Sequence, residues 1–450
     1  MKKTFVILFS LSSFWVFSQK KWSLKECVDY ALNNNLQIIS NQYQKQIQDK
    51  NLAIAENEYL PSVGANVNNS VSFGQTQGFQ GSIGRNDNFN NSANISANVL
   101  LYNGKRLEKQ VRRSQFNVEV ALHDLETVKN NISLQIVQQY LAVLLNKEIL
   151  KINTSALENA QKLYDRAKIT TEVGTTAQTV LAEAEAALAR EKQNYKTAEI
   201  DIKRNLFALA QLLQLKDYQD FDVEDILLQD QLDPAQQQSL ETVLNNAYTQ
   251  QPEIKSAEQK IKIAETETEI AKTNFLPTVT ANAGLGSFYF NSLVTDITGM
   301  DAFGNIIKEK NFFEQYKNNF SQQLGLSINI PIFNKGNTKL QVEQAKINET
   351  IAKNNLALQK QELLQSIQKV FFDLEANYEN HLAALEAEKS SKLALEFTEK
   401  SYLAGRSTIY DLNIARNNFA NAQGTVAQAK YNFMFNLKLL QFYTDGKLEL

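Results

Sequence analysis

Two long stretches of the sequence contain neither glycine nor proline, and they limit what the chain can fold into. They are residues 105–173 and 337–404, and each is followed by a glycine, Gly174 or Gly405. Globular helices usually have about 8 to 20 residues. An unbroken helix over either stretch would be roughly 100 Å long, because an α-helix rises about 1.5 Å per residue. We therefore predict two helical rods that are too long for a compact domain.

The composition removes several classes of function. The chain has one cysteine, Cys27, and two histidines, His123 and His381, which excludes a disulfide framework and a Cys/His zinc site within one chain. A formal net charge of -3 gives no reason to expect nucleic acid as a partner. The sequence shows no nucleophile–base set, no phosphate-binding glycine loop and no cluster of metal ligands. An enzyme is therefore the class least expected, and no cofactor or metal is expected.

The N-terminus has the composition of a targeting segment. Lys2 and Lys3 precede an apolar run over residues 5–17. We predict a secretory signal peptide over residues 1–18, cleaved near Ser18/Gln19. This run is too short to cross a membrane as a helix. No other apolar run is long enough to do so, and a membrane crossing would therefore have to use strands.

The rest of the chain repeats itself. Pro61 recurs as Pro277 at an offset of 216 positions, and Gly174 recurs as Gly405 at an offset of 231 positions. A repeat of this length exceeds the period of solenoid units, which is about 20 to 50 residues. The two offsets differ, so the second copy must carry an insertion between the matched blocks. The repeat predicts a duplicated structural half.

We divide the chain into a first repeat, residues 19–213, and a second repeat, residues 239–450. Each is expected to run through a helix, a β-hairpin, a long helix and a shorter returning helix. Residues 214–238 connect the repeats and carry seven acidic residues against Lys216 alone. An acidic cluster can bind calcium, but the spacing of an EF-hand is missing. We predict a solvated linker or equatorial segment here.

The two hairpins are predicted from a change of period, over residues of about 61–102 and 277–333. Apolar and polar residues alternate there, which is the pattern of a strand with one apolar face. The stretches between the strands, residues 74–90 and 286–319, are rich in Gly, Asn and Ser and are predicted to be loops. A soluble sandwich with one wet face would share this alternation.

Aromatic residues at both ends of the strands favour a membrane interpretation. They are Tyr59, Tyr102, Phe275 and Phe333 at the helix side, and Phe73, Phe288 and Phe320 at the loop side. Two aromatic girdles around an apolar band are typical of outer-membrane barrels, the smallest of which have about eight strands. Four strands cannot close such a barrel, and open edges are not tolerated in lipid. We therefore predict that several copies of the chain share one barrel.

The sequence resembles the TolC-like outer membrane efflux protein family. The resemblance is carried by the duplicated plan, by Pro61 and Pro277 after leucines, and by residues 330–336 and 402–408. It implies a mainly α fold with a membrane β-barrel part. Long α-helical hairpins would form a periplasmic α-barrel, and two β-hairpins per chain would contribute four strands to a trimeric barrel of twelve strands.

The resemblance also implies a function and partners. A homotrimer in outer-membrane lipid would serve as the exit duct of a tripartite export system. Its partners would be a periplasmic adaptor (membrane fusion) protein and an inner-membrane transporter of the RND or ABC type, without nucleic acid. The cargo would be small molecules such as drugs and toxic compounds, or a protein if the duct served type I secretion. A structural coiled-coil envelope protein without channel activity is the alternative from another class.

The resemblance further implies a periplasmic gate at the tips of the helical hairpins. The residues concerned are Gly174, Thr179, Tyr402, Gly405, Arg406 and Asp411. Asp411 matches an acid that narrows the lumen in the family, whereas Ile414 and Val180 stand where other acids would be expected. We predict one ring of acids instead of two. The competing interpretation is that Asp411 only caps the returning helix.

Overall fold

The computed structural model describes residues 21–77, 83–85, 87–225, 239–294, 299–300, 304, 306–308 and 311–446. The predicted signal peptide and most of the acidic segment lie outside the described residues. The chain forms two compact units. The helical unit comprises Met1–Gln44, Leu122–Lys255 and Ala357–Leu450, and the strand unit comprises Lys45–Ala121 and Ser256–Leu356. Each unit is described by itself below.

The secondary structure follows the same plan twice. The first repeat contains α1 (Leu24–Asn34), α2 (Leu36–Asn57), β1 (Ser62–Ser72), β2 (Gln75–Gln77), β3 (Ile83–Arg85), β4 (Asn88–Tyr102), α3 (Arg106–Glu172) and α4 (Gln178–Leu212). The second repeat contains α5 (Leu240–Gln250), α6 (Pro252–Thr273), β5 (Thr278–Ser292), β6 (Gly299–Met300), β7 (Ile306–Ile307), α7 (Phe312–Asn318), β8 (Ser321–Asn329), α8 (Asn337–Leu403) and α9 (Ile409–Asp445). The helices of the two repeats correspond at the offsets read from the sequence.

The two glycine-free stretches are unbroken helices. Helices α3 and α8 have 67 residues each, and each begins and ends within one residue of the predicted limits. Among the described residues, no helix combines the length and the apolar composition needed to cross a membrane. The mainly α fold with a small β part, predicted from the resemblance, is confirmed.

The first helical stretch of each repeat is divided, where the sequence predicted one helix. Asn35 separates α1 from α2, and its side-chain oxygen accepts from the amides of Gln37 at 2.8 Å and Ile38 at 3.4 Å. Asparagine favours such caps because its side chain competes for backbone amides. Gln251 separates α5 from α6 and precedes Pro252. The residue before a proline avoids the helical region, which explains the second break.

The main sheet of the strand unit is antiparallel, with the strand order β1–β4–β5–β8. Its register aligns apolar residues across all four strands, for example Val63, Ala97, Ala283 and Leu324. The neighbouring row contains Ser62, Asn98 and Asn282. We call the first side the apolar face and the second the polar face. Much of the apolar face is exposed in the single chain, as 88% of Leu324 shows.

The predicted loops contain more structure than expected. Strand β5 continues through Gly286 to Ser292, because Gly284 and Gly286 stay paired with Ser96 and Asn94 of β4. Residues 286–319 also include α7, and residues 74–90 include the short pair β2–β3. The prediction of plain loops was wrong here because glycine was taken as the end of a strand. Glycine weakens a strand, but it does not prevent backbone pairing.

Near the sheet, a single side chain connects the starts of the two long helices. The amide oxygen of Asn274 accepts from Nη1 of Arg106, at the start of α3, at 3.0 Å. The amide nitrogen of the same residue donates to Oε1 of Gln341, in the first turns of α8, at 3.2 Å. Asn274 lies just after α6, and it therefore fixes the spacing of α3 and α8 within the strand unit.

The core of the helical unit is centred on the middle of α3. The Tyr140 side chain is fully buried, and its O–H lies 2.8 Å from the carbonyl oxygen of Glu224 and 3.1 Å from that of Trp22. Helix α1 contributes Cys27, and burial, with a smaller contribution from Glu26, raises the pKa of its thiol to about 12. The thiol is therefore a packing group. The other buried residues of this core include Val28, Ala31, Ile38, Ile136, Val137, Leu144, Leu209, Leu213 and Val223.

Part of the acidic segment belongs to this core. Val223 is fully buried and pairs with Trp22 in an isolated parallel bridge. The Lys147 ammonium contacts the carbonyl oxygen of Val223 at 2.6 Å and a carboxylate oxygen of Asp222 at 2.7 Å, and Lys21 lies 3.4 Å from that carboxylate. The prediction of a solvated linker is therefore wrong for these residues. The lysines compensate the negative charge and allow the chain to pack.

We predict that Lys147→Met destabilises the helical unit by about 1 to 3 kcal/mol at pH 7, because it removes the side-chain donor to the Val223 carbonyl and leaves the half-buried Asp222 carboxylate with Lys21 as its only cation among the described residues. Burial alone would raise the pKa of Asp222, but Lys147, the Val223 amide and Lys21 together outweigh it and hold this pKa below its ordinary value. The ion pair therefore stabilises the folded state above the unfolded-state pKa of about 4 and is lost at lower pH. The difference between the urea unfolding midpoints of the variant and the parent protein, at pH 7 and at a pH below about 4, measures this.

Lys151 supplies the matched control for this variant. It lies on the same helix, and its ammonium is 3.4 Å from Glu148 in an exposed pair. Exposed pairs contribute at most about 1 kcal/mol. Lys151→Met should therefore leave the midpoint nearly unchanged at both pH values. Equal shifts for the two variants would show that the contact between Lys147 and Asp222 has no special role.

Candidate functional site

The candidate gate consists of the turns that end the two long helices, and both turns have the same backbone geometry. Gly174 follows α3 with a φ of +78°, and Gly405 follows α8 with a φ of +71°. In each turn, the amide after the glycine donates to the carbonyl oxygen five residues earlier at 2.9 Å. This hydrogen bond ends a helix when one residue adopts the left-handed conformation, which glycine does without steric cost.

The first turn is held by threonines. The Thr175 hydroxyl donates to the carbonyl oxygen of Thr170 at 2.9 Å. The Thr176 hydroxyl lies 2.9 Å from that of Thr170 and 3.1 Å from that of Thr171. Helix α4 then begins after Ala177, which offers no side-chain cap. The side-chain hydrogen bonds of this turn therefore stabilise the end of α3 and leave the start of α4 uncapped.

The side-chain hydrogen bonds of the second turn stabilise the helix that follows the turn, α9, instead of the helix that precedes it. The Thr408 hydroxyl accepts from the Asp411 amide at 3.1 Å, and a carboxylate oxygen of Asp411 accepts from the Thr408 amide at 3.0 Å. The Thr408 hydroxyl also lies 2.7 Å from this carboxylate. These contacts form a capping box at the start of α9. The cap interpretation of Asp411 is thus part of the structure, and its role in a gate stays a prediction.

The charge of Asp411 is compatible with both roles. The hydroxyl and amide of Thr408 hold the pKa of this carboxyl below its ordinary value, and the carboxylate is therefore ionised at neutral pH. Arg406 is exposed in the second turn, Thr179 is exposed at the start of α4, and Ile414 is exposed on α9. Among the described residues, no group of His, Cys, Asp or Glu is arranged to hold a metal ion.

Tyr402 connects the two turns within the helical unit. It packs with Ala167 of α3, Ala184 of α4 and Ile409 of α9. Val180, which corresponds to Asp411 in the first repeat, packs against the same cluster. A carboxylate at position 180 would be drawn into this apolar contact, and the valine therefore suits the packing. Tyr402 thus packs between neighbouring helices at the turns, and its part in a gate stays a prediction.

Arg416 makes polar contacts near the two turns. These contacts were not predicted from the sequence. Its Nη2 lies 2.8 Å from Oε1 of Glu399 on α8, and its Nη1 donates to the carbonyl oxygen of Asn159 on α3 at 3.3 Å. It lines a cavity between the helical hairpins, together with Glu191 and Phe419. A lone arginine in an Ala- and Asn-rich helix is the sequence signal that could have identified it.

The predicted girdle residues are all exposed in the strand unit, from 44% for Tyr102 to 85% for Phe333. The others are Tyr59, Phe73, Phe275, Phe288 and Phe320. Tyr102 is paired with Val279, beyond a bulge in β4, and therefore lies on the apolar face. This side-chain position suits a residue that would contact lipid at the end of a strand.

Phe288 differs from the other predicted girdle residues. It is paired with Ser92, which in turn is paired with Asn68, and it therefore lies on the polar face. Tyr102 and Phe288 cannot both belong to girdles on one face of the sheet. The sequence placed Phe288 in a loop, where its side could not be predicted. Tyr289, opposite Asn91, is the aromatic residue of this part of β5 that lies on the apolar face.

Comparison with known families gives one match over most of the chain. The outer membrane efflux protein family model matches residues 27–214 and 243–443. The two matched blocks contain both of the turns described above and most of the duplicated plan. The outer membrane efflux protein BepC of Brucella suis biovar 1 (strain 1330) is 23% identical over 412 residues, which are 89% of this chain and 80% of that protein.

Two of the solved structures that match this fold are outer-membrane channels by name. The Campylobacter jejuni CmeC outer membrane channel matches with a TM-score of 0.75 and 20% identity, over 94% of this chain and 85% of that chain. The open state of the Neisseria gonorrhoeae MtrE outer membrane channel matches with a TM-score of 0.71 and 18% identity, over 94% and 88%. At this level of identity, the likeness concerns the fold.

We predict that Thr408→Ala loosens the start of α9. Loss of a threonine cap costs about 1 kcal/mol, which corresponds to roughly fivefold faster local opening. Hydrogen–deuterium exchange of the peptide over residues 404–416 measures this. Thr179→Ala is the control, because it changes an exposed threonine of the other turn. Unchanged exchange in the Thr408 variant would mean that the capping box does not stabilise this turn.

Proposed function

The chain belongs to the outer membrane efflux protein family, and we propose that it forms the outer-membrane exit duct of a tripartite export system. The observation that carries this proposal is the four-stranded sheet of the strand unit. One of its faces is apolar and largely exposed in the single chain, as at Leu324 and Leu326. Large exposed apolar surfaces mark contacts with membranes or other proteins. A scaffold protein without channel activity would not require a sheet with an exposed apolar face.

Three copies of the chain complete the proposed duct. Among the described strands, β1 and β8 are the edges of the main sheet. They run antiparallel to each other, and β8 of one copy can therefore pair with β1 of the next. Closure satisfies every edge, which lipid requires. Three copies with four main strands each give a barrel of twelve, within the range known for outer-membrane barrels of about 8 to 26 strands.

The proposed orientation follows from the two faces. The apolar face contacts outer-membrane lipid, and the polar face, with Asn98 and Asn282, lines the lumen. Alternation of lipid-facing and lumen-facing residues is the rule in such barrels. The ends of the strands that join the helices then lie on the periplasmic side. A helix of 67 residues is about 100 Å long, which suits a periplasmic passage.

The remaining components follow from the proposed role. A passive duct requires a periplasmic adaptor and an energised inner-membrane transporter, of the RND or ABC type. The transporter selects the cargo, and we propose small toxic molecules. Asp411 and its copies in the other two chains would form one ring of negative charge at the helical tips. Exposed Ile414, one turn further along α9, would leave the second ring without charge.

We predict that the purified trimer conducts ions in planar bilayers. Leu326→Arg should prevent insertion, because an arginine on the lipid face costs about 2 to 4 kcal/mol per chain near the bilayer centre. Ser327→Arg is the matched control, since it changes the adjacent residue, which is paired with Thr280 on the polar face. This variant should insert and conduct with altered selectivity. A wild-type protein that inserts without conducting would contradict the duct.

The gate is tested by separating the charge of Asp411 from its cap. Asp411→Asn removes the charge and keeps an oxygen that can accept from the Thr408 amide. Thr408→Ala keeps the charge and removes the cap. If Asp411 forms a ring of acids, cation selectivity should fall about several-fold in the first variant only, because facing carboxylates attract cations. Equal effects of the two variants, or none in the first, would leave Asp411 with the cap alone.

A further inference from the structure

Helix α7 is a feature of the strand unit that the exit duct does not explain. It consists of seven residues, Phe312–Asn318, and three of these are aromatic. Its N-cap is Asn311, whose side-chain oxygen accepts from the amides of Phe313 at 3.0 Å and Glu314 at 3.3 Å. A helix this short is marginal by itself. Its position must therefore depend on contacts with the sheet.

The helix occupies the place of a strand. Strand β8 pairs with β5 only as far as Ser321 and Gly286. Beyond this point, the side-chain amide of Gln315 takes over the pairing, since its oxygen accepts from the Phe290 amide at 3.0 Å and its nitrogen donates to the Phe290 carbonyl at 3.0 Å. Gln315 is buried. The last residues of β5 are thus paired with a helix on that edge.

The sheet register decides on which face α7 lies. The Phe312 ring is 5.1 Å from the Tyr289 ring, and the Ser287 hydroxyl donates to the carbonyl oxygen of Tyr316 at 2.6 Å. The Tyr316 hydroxyl donates to the Asn91 side chain. Ser287 is paired with Ala93, and Tyr289 with Asn91. All of these contacts belong to the apolar face, and α7 therefore packs against that face.

The outer side of α7 is amphipathic. Phe313 is 81% exposed, and Phe320, just before β8, is 53% exposed. Glu314 and Lys317 are exposed on the same short helix. Aromatic residues beside charged ones are typical of segments at the boundary between acyl chains and lipid headgroups. The surface is continuous with the apolar face of the sheet.

We propose that α7 is an interfacial anchor of the duct, with Phe313 inserted at the headgroup–acyl boundary of the outer leaflet. This inference rests on the proposed function, because it requires the apolar face to contact lipid. The leaflet follows from connectivity. Helix α7 lies at the end of β5 that is remote from α6, and α6 leads to the periplasmic helices. The anchor holds the barrel at a fixed depth, while the paired Gln315 satisfies the edge of β5.

The proposal is tested by placing tryptophans in the full chain and measuring their quenching in phospholipid vesicles. The acyl chains carry bromine either near the headgroup or near the chain end. The fluorescence of the native tryptophans, Trp15 and Trp22, is measured in the parent protein and subtracted. Phe313→Trp should be quenched about twofold more by the shallow bromine than by the deep one, because an interfacial side chain lies about 5 to 10 Å into the boundary. Leu326→Trp should show the reverse order, and Phe397→Trp, on exposed α8, should not be quenched.

The controls keep the two hypotheses apart. If Leu326→Trp is not quenched, the membrane placement of the sheet fails, and the proposed function fails with it. If Leu326→Trp is quenched and Phe313→Trp is not, the sheet is in lipid but α7 is not, and only the anchor is overturned. Quenching of Phe313→Trp mainly by the deep bromine also overturns it. If Phe313 were buried against a neighbouring copy, Leu326→Trp would be quenched and Phe313→Trp would not.

Discussion

The hydrogen bonds at the two edges of the main sheet constrain everything else in this protein. Within the part of the chain that the structure describes, the outer edges of β1 and β8 are unpaired, and α7 covers only one end of the apolar face between them. In water, an edge can be solvated, but the apolar face then has no cover. In lipid, the face is covered, but the edge must be paired. Both requirements are met together only when copies of the chain close the sheet, and assembly is therefore a condition for stability in the membrane.

The duplicated halves are alike in backbone and different in chemistry. Their long helices end in the same left-handed turn, yet threonines hold the end of one helix while a capping box holds the start of the other returning helix. At equivalent positions of the two repeats, Val180 packs against apolar residues, whereas Asp411 carries a charge. One half can therefore be specialised for packing and the other for charge, without a change in the backbone that both share. The core around Tyr140, with Lys147 against Asp222, fixes the middle of the first half.

Much of this fold could be predicted from the sequence, for reasons that are local. Helices α3 and α8 were predicted to within one residue, because glycine both ends a long helix and permits the left-handed turn after it. The register of β5 could not be predicted, since pairing with β4 carries it through Gly284 and Gly286. The side on which Phe288 lies and the existence of α7 depend on that register. The contacts of Arg416 and of Asp222 join residues that are distant in sequence, and no local pattern contains them.

Helices α3 and α8 have equal lengths, and contacts near both of their ends depend on that equality. Asn274 binds both near their starts, and the Tyr402 cluster holds α8 beside the end of α3. Both have 67 residues. Removing one residue from either would shift everything beyond it by about 1.5 Å and turn it by about 100°. A change in the length of one helix is therefore compatible with the contacts at both ends only if the other helix changes by the same number of residues. The lengths of α3 and α8 are therefore inherited together, although two separate stretches of the gene encode them.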